Sequence, residues 1–118
     1  MPCVFCQIVN KEISAKIIYE DERFLALTPL QEVSLGHTLL IPKVHFENIL
    51  DIDENQFLHF SKVLRTLAID LVNNNHATGI NILNASGKDA QQSVFHLHFH
   101  LVPRYPDDGL DMWIKQGL

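Results

Sequence analysis

The stretch Val94-Phe95-His96-Leu97-His98-Phe99-His100-Leu101-Val102 constrains this chain more than any other part of it. Three histidines alternate with Phe95, Leu97, Phe99 and Leu101. Side chains alternate faces along a β-strand, so the pattern predicts a strand over 93–102 with one apolar face turned to the core. The opposite face carries His96, His98 and His100, with about 7 Å between successive rings. Three ionisable rings in a row repel one another whenever more than one is protonated, so the row needs a chemical reason. Two chemistries can use it. Neutral imidazoles can share a metal ion, or one ring can attack phosphorus while its neighbours position the phosphate. Pro103-Arg104 follows the run, and the chain has too few strands for the barrels in which His-x-His metal sites sit. A cation beside the histidines suits an anionic substrate better than a metal.

The remaining segments read as a compact α+β layout. Residues 16–20 (KIIYE) and 23–28 (RFLALT) are short β-type runs separated by the charged turn Asp21-Glu22, a hairpin signal. Residues 37–42 (HTLLIP) form a third strand stopped by Pro42. Over 54–73, Phe57, Phe60, Leu64, Leu67 and Leu71 recur at spacings of three and four, which predicts an amphipathic helix. Asp51 or Asp53 can cap its start, and Asn73, Asn74 and Asn75 can end it. Residues 79–84 (GINILN) pair with the histidine strand across the polar loop ASGKDAQQ. Short connections favour an antiparallel sheet with the helix on its apolar face.

Composition narrows the function classes. A chain of 118 residues with 47% hydrophobic and 19% charged residues fits one soluble globular domain over 1–118, with 103–118 as a C-terminal tail. Net charge is −5 and the basic residues are scattered, which argues against polymeric nucleic acid but leaves room for a small phosphate ligand. No apolar run approaches the roughly 20 residues of a membrane span, and MPCVFCQIVN lacks the regions of a signal peptide. The expectation is a cytoplasmic protein without a membrane partner, in which Cys3 and Cys6 are reduced thiols.

These segments together resemble the histidine triad (HIT) family, in particular its small bacterial-type members with an N-terminal Cys-x-x-Cys. His96-Leu97-His98-Phe99-His100-Leu101-Val102 fits the family pattern of three histidines alternating with apolar residues. CVFCQIV, KIIYEDERFLAL, GHTLLIPKVH, QSV and VPRY fit the flanks in order and spacing, so the resemblance runs from Cys3 to about Trp113. It implies a HIT-like α+β fold with a five-stranded antiparallel sheet, one long helix and a short N-terminal helix. It also implies a homodimer in which two sheets join. The implied activity is hydrolysis or transfer at the α-phosphate of a purine nucleotide derivative. A phosphoramidate, an adenylylated compound and a dinucleoside polyphosphate are the candidate substrates.

Residue by residue, the resemblance makes His98 the nucleophile that carries a nucleotidyl-histidine intermediate. His100 would bond the phosphate and His96 orient the array. Ser93 would assist the leaving group, with Gln92 beside it in the lead-in to the triad. Asn84 stands in the loop before the triad. Phe5, Ile8, Leu27, Thr28 and Leu30 would form the nucleotide slot, and Trp113 would approach the partner's pocket across the dimer. Members with the same Cys-x-x-Cys are similar to zinc proteins, which implies a structural site of Cys3, Cys6, His45 and His96. Spacing alone leaves a redox pair or free thiols open. His37 and Lys43 read as structural or surface groups, His59 and His76 as solvated ones.

Three departures from the family pattern bear on substrate choice. Pro29 stands where many members carry the Asp that holds ribose. Asn84 lies one or two positions from the family's loop Asn or Asp. Ala90-Gln91-Gln92 replaces the usual Ala-Gly-Gln, placing a side chain where backbone passes close to phosphate. They leave an alternative, a zinc-stabilised nucleotide-binding or sensing protein with little turnover.

Overall fold

The computed structural model describes residues 3–115; the last three residues of the tail 103–118 lie outside them. The chain begins with helix α1 (Val4–Val9), capped by the Cys3 sulfur, which accepts from the Cys6 N–H at 3.4 Å. Strands β1 (Lys16–Glu20), β2 (Phe24–Thr28) and β3 (Thr38–Pro42) follow. Asp21 makes the first turn: its Oδ1 accepts from the Arg23 and Phe24 N–H groups at 2.7 Å each. A short carboxylate that satisfies two backbone donors is what fixes a tight reversal.

Helix α2 (Glu54–Asn75) starts at Asp53, whose Oδ1 accepts from the Gln56 N–H at 2.7 Å. Of the two capping candidates, Asp53 caps the helix, whereas Asp51 accepts from the Glu47 and Asn48 N–H groups of the preceding turn. The helix runs through the asparagines and ends at His76, in the left-handed conformation with φ 55°. Strands β4 (Gly79–Leu83) and β5 (Phe99–Arg104) complete an antiparallel sheet of order β1-β2-β3-β5-β4.

Both faces of the sheet are covered. Phe24, Ala26, Leu40, Phe99 and Leu101 point toward α2 and pack with Phe60 and Leu67. The rings of Phe24 and Phe60 meet edge to face at 5.5 Å. Leu25, Leu27, Leu39 and Ile41 point the other way, onto Phe5 and Ile8 of α1. Directly paired residues share a face, so Ile17, Leu27, Leu39, His100 and Leu83 form one row across the sheet on the α1 side.

The expected strand over 93–102 is corrected to β5, which begins only at Phe99. The ladder runs out of partners. Continuing the β3 register beyond Leu40↔Phe99 would bring in Pro42, which has no N–H to donate. On the other side β4 ends at Leu83, and the Asn84 side chain donates to the His98 carbonyl at 3.0 Å in place of a backbone group. The Leu97 N–H donates instead to the Phe46 carbonyl at 2.7 Å. Leu97, Phe99 and Leu101 are buried as the alternation predicts, but Phe95 is 44% exposed, because the chain already bends at 94–96.

Candidate functional site

His96 is fully buried, and both of its nitrogens are accounted for. Nε2 lies 2.8 Å from the Pro42 carbonyl and donates to it. In the neutral ring this leaves the Nδ1 lone pair facing Cys3 and Cys6. Burial drives His96 down to about 4, which keeps that lone pair available. Around Nδ1 stand the Cys3 sulfur at 3.2 Å, the Cys6 sulfur at 3.6 Å and His45 Nδ1 at 3.2 Å, while Cys6 and His45 are 3.4 Å apart. All four donor atoms lie within 4.8 Å of one another.

These distances test the fit of a metal. A zinc tetrahedron with bonds of about 2.3 Å to sulfur and about 2.0 Å to nitrogen sets its ligand atoms roughly 3.3 to 3.8 Å apart. Four of the six donor pairs, at 3.2 to 3.6 Å, match that cage, and two thiolates with two imidazoles make a donor set suited to zinc. Four protein ligands close the coordination sphere, as in structural sites. The Pro42 carbonyl supplies the outer contact that orients a ligating imidazole. Burial first and the neighbouring Cys3 second push the Cys6 thiol up to about 11.

His98 presents the complementary case. Its Nδ1 donates to the His96 carbonyl at 2.9 Å, so the neutral ring keeps its lone pair on Nε2. His100 is set by a residue that sequence reading placed outside the site. The Val33 N–H donates to His37 Nδ1 at 3.2 Å, so the proton of neutral His37 sits on Nε2, 3.0 Å from His100 Nδ1. His100 must then accept at Nδ1 and carry its own proton on Nε2. Burial, with His98 and His37 nearby, holds His100 down to about 4, and burial also lowers His37. Gly36 makes the turn before His37 possible: its φ is +88°, and a Cβ there would meet the Asn75 side chain at 2.7 Å. The signal was the two-residue period itself, since His37 precedes Leu39 and Ile41 on the α1 face.

Phe5 joins this row to a cavity. Its ring lies edge-on 5.3 Å from His98 and 5.7 Å from His96. The same residue lines a cavity of about 510 Å³ with Val4, Ile8, Leu27, Thr28, Pro29, Leu30 and Leu39. Phe5, Ile8, Leu27, Thr28 and Leu30 are therefore brought together, with Leu30 fully exposed at the rim. Ser14, Lys16 and Thr28 supply the polar lining side chains, and among the described residues no carboxylate lines the cavity.

The remaining residues fall in different places. Asn84 braces His98 through its backbone, and Ser86 donates to Asn84 Oδ1 at 2.7 Å. Gln92 is buried; its Oε1 accepts from the Gly87 N–H at 2.8 Å and its Nε2 donates to the Glu47 and Val94 carbonyls. Its side chain holds the loop before the triad. Ser93 is exposed on the approach to the histidines, and Trp113 is 64% exposed and does not line this cavity.

Comparison with known proteins adds to this geometry. A sequence model described as the HIT domain matches residues 10–107. An uncharacterized HIT-like protein of Borreliella burgdorferi is 41% identical over 109 residues, covering 91% of this chain and 78% of that protein. The crystal structure of a zinc-bound histidine triad family protein from Mycobacterium smegmatis superposes with a TM-score of 0.88 at 38% identity, over 99% of this chain and 85% of that one. A HIT family hydrolase from Clostridium thermocellum gives 0.77 at 33% identity, over 97% and 96% of the two chains.

Proposed function

The chain belongs to the HIT family, and on that footing we propose that it is a nucleotide hydrolase or transferase acting at the α-phosphate of a purine nucleotide derivative. The observation that carries this reading is the tautomer of His98. Its Nδ1–H is committed to the His96 carbonyl, which leaves the lone pair on Nε2, and Phe5, edge-on to this ring, lines an apolar slot of nucleoside size. In the first step Nε2 forms a bond to phosphorus while the bond to the leaving group breaks. The leaving group departs with the electron pair and takes a proton from water. The positive charge on the substituted ring is met by the His96 carbonyl through Nδ1–H. A second water then attacks phosphorus, its proton neutralising the hydroxide left by the first step, the nitrogen–phosphorus bond returns its electrons to His98, and the nucleoside monophosphate is released.

His100 supports both steps as a neutral donor, because His37 fixes its proton on Nε2. Ser93, exposed before the triad, is the hydroxyl for the leaving group. Phe5, Ile8, Leu27, Thr28 and Leu30 hold the nucleoside, and Gln92 and Asn84 keep the loop and the His98 backbone in place. The zinc-suited cluster takes no part in bond making, since its four ligands leave no position for substrate. The implied homodimer belongs to the same reading. Strand β4 is a sheet edge with Ile82 44% exposed, and α2 exposes Leu58 and Ile69 at 57% and 44%.

Incubation with an adenosine phosphoramidate tests the activity. Release of AMP by the wild type, lost by a factor of 10³ or more in His98→Ala, is the expected result, as for removal of a covalent nucleophile. The absence of a carboxylate from the cavity lining favours a second reading, a zinc-stabilised nucleotide sensor. Tight AMP binding without turnover in the wild type would decide for it.

A further inference from the structure

Helix α1 has only six residues, too few to persist on its own. Two things hold it. Phe5 and Ile8 are buried against β2 and β3, and its N-cap is the Cys3 sulfur, which also faces His96 in the metal cage. Phe5 lies between the two cysteines in sequence and touches the rings of both His96 and His98. Its helix, with Val4 and Ile8, lines the large cavity. The helix with its N-cap thus supplies half of the cage, Cys3 and Cys6, and a wall of the pocket.

We propose that Phe5 is a positioning residue that couples the metal cage to the histidine pocket: metal held by Cys3 and Cys6 fixes α1, and α1 presses Phe5 against His98 and closes the nucleoside slot. Two contacts carry the coupling. One is the edge of the Phe5 ring on His98, and the other is the His96 carbonyl that receives His98 Nδ1–H while the ring of the same residue faces the cage. A closed four-ligand site cannot touch a substrate, so the influence of the metal on the pocket passes through α1 and His96. Coupling between two sites is reciprocal: nucleotide must tighten metal binding by the factor by which metal tightens nucleotide.

The test measures zinc affinity with and without saturating AMP, and AMP affinity with and without zinc, in wild type and Phe5→Ala. Wild type should show equal factors in the two directions, about tenfold, within the range usual for coupled sites. In Phe5→Ala zinc should still bind, AMP should bind more weakly, and the factor should fall below the wild-type value, since only the contact through the His96 carbonyl remains. A factor of one in wild type, or the same factor in both proteins, overturns the proposal. Should the metal-free chain unfold, AMP would tighten zinc through folding in both proteins alike, so the deciding comparison is then made on the zinc-loaded forms. Imidazole ¹⁵N resonances of His98 should differ between wild type and Phe5→Ala while those of His45, which Phe5 does not touch, stay; unchanged His98 resonances refute the coupling. One arm rests on the nucleotide reading of the pocket. Zinc-loaded, folded wild type that binds no AMP would sink that reading, and the His98 resonances alone would then decide the coupling.

Discussion

Gln91 occupies the left-handed region with φ 71° and ψ 29°, where a side chain costs about 1–2 kcal/mol and glycine sits freely. The turn before the triad has kept the backbone of a glycine position with a glutamine in it. Gln91→Gly should leave stability unchanged or raise it by about 1 kcal/mol, and Gln91→Val should lower it by about 1–2 kcal/mol, read from urea midpoints. Equal midpoints for glycine and valine would show that the turn relaxes without strain. His100 gives a prediction in pH. Its native value of about 4 lies below the ordinary 6.5, so between those values the unfolded chain binds more protons than the native one. The stability this contributes is complete above about pH 6.5 and is lost as pH falls toward 4. Melting temperature should drop across that window, and less steeply in His100→Asn. An unchanged slope would assign the acid sensitivity elsewhere.

Elements differ in how plainly the sequence announces them. Helix α2 could be read because Phe57, Phe60, Leu64, Leu67 and Leu71 repeat its period, and the observed Glu54–Asn75 extends the expected 54–73 by one half-turn. β1 to β4 follow their apolar runs to within a residue. β5 could not be bounded, because alternation continues through His96 and His98 although Pro42 and Asn84 deny those residues ladder partners. α1 depends on more than its own sequence. Cys3→Ser combined with Cys6→Ser should abolish retention of zinc, expected near one ion per chain, and lower the melting temperature by roughly 10 °C, equivalent to about 2–3 kcal/mol. Retained zinc, or an unshifted melting curve, would remove the metal from the account of this helix.

At the scale of the whole molecule, no described helix is long and apolar enough to cross a membrane. The tail leaves the sheet through a locked turn. Arg104 bonds both Asp108 oxygens at 2.9 Å, the Asn81 side chain at 2.8 Å and the Leu110 carbonyl at 2.6 Å. That fork gives the segment a fixed direction. Beyond it Trp113 and Ile114 are 64% and 72% exposed, large apolar groups of the kind a second subunit covers. If they reach a partner's pocket, light scattering should give a dimer at micromolar concentration. Removal of residues 107–118 should then reorder substrates that differ only in leaving group, while His98 still accepts the nucleotidyl group. A monomer, or an equal loss for every substrate, would make the tail a structural cover.

The sequence alone determined those features that are local or periodic: the strands β1 to β4, helix α2, the Asp21 turn and a row of alternating histidines. Each follows from side-chain spacing within a few residues, and no distant partner is needed to state it. The tertiary structure decided what depends on meeting across the chain. Cys3 and His96 are 93 positions apart, and their contact of 3.2 Å exists because α1 and the end of β3 flank the same bend. His37 and His100, 63 positions apart, meet at 3.0 Å because antiparallel pairing sets Leu39 opposite His100. Sequence could name the three histidines. Which nitrogen of each carries the proton was fixed by the Pro42 and His96 carbonyls and by His37, groups that only the folded backbone delivers to them.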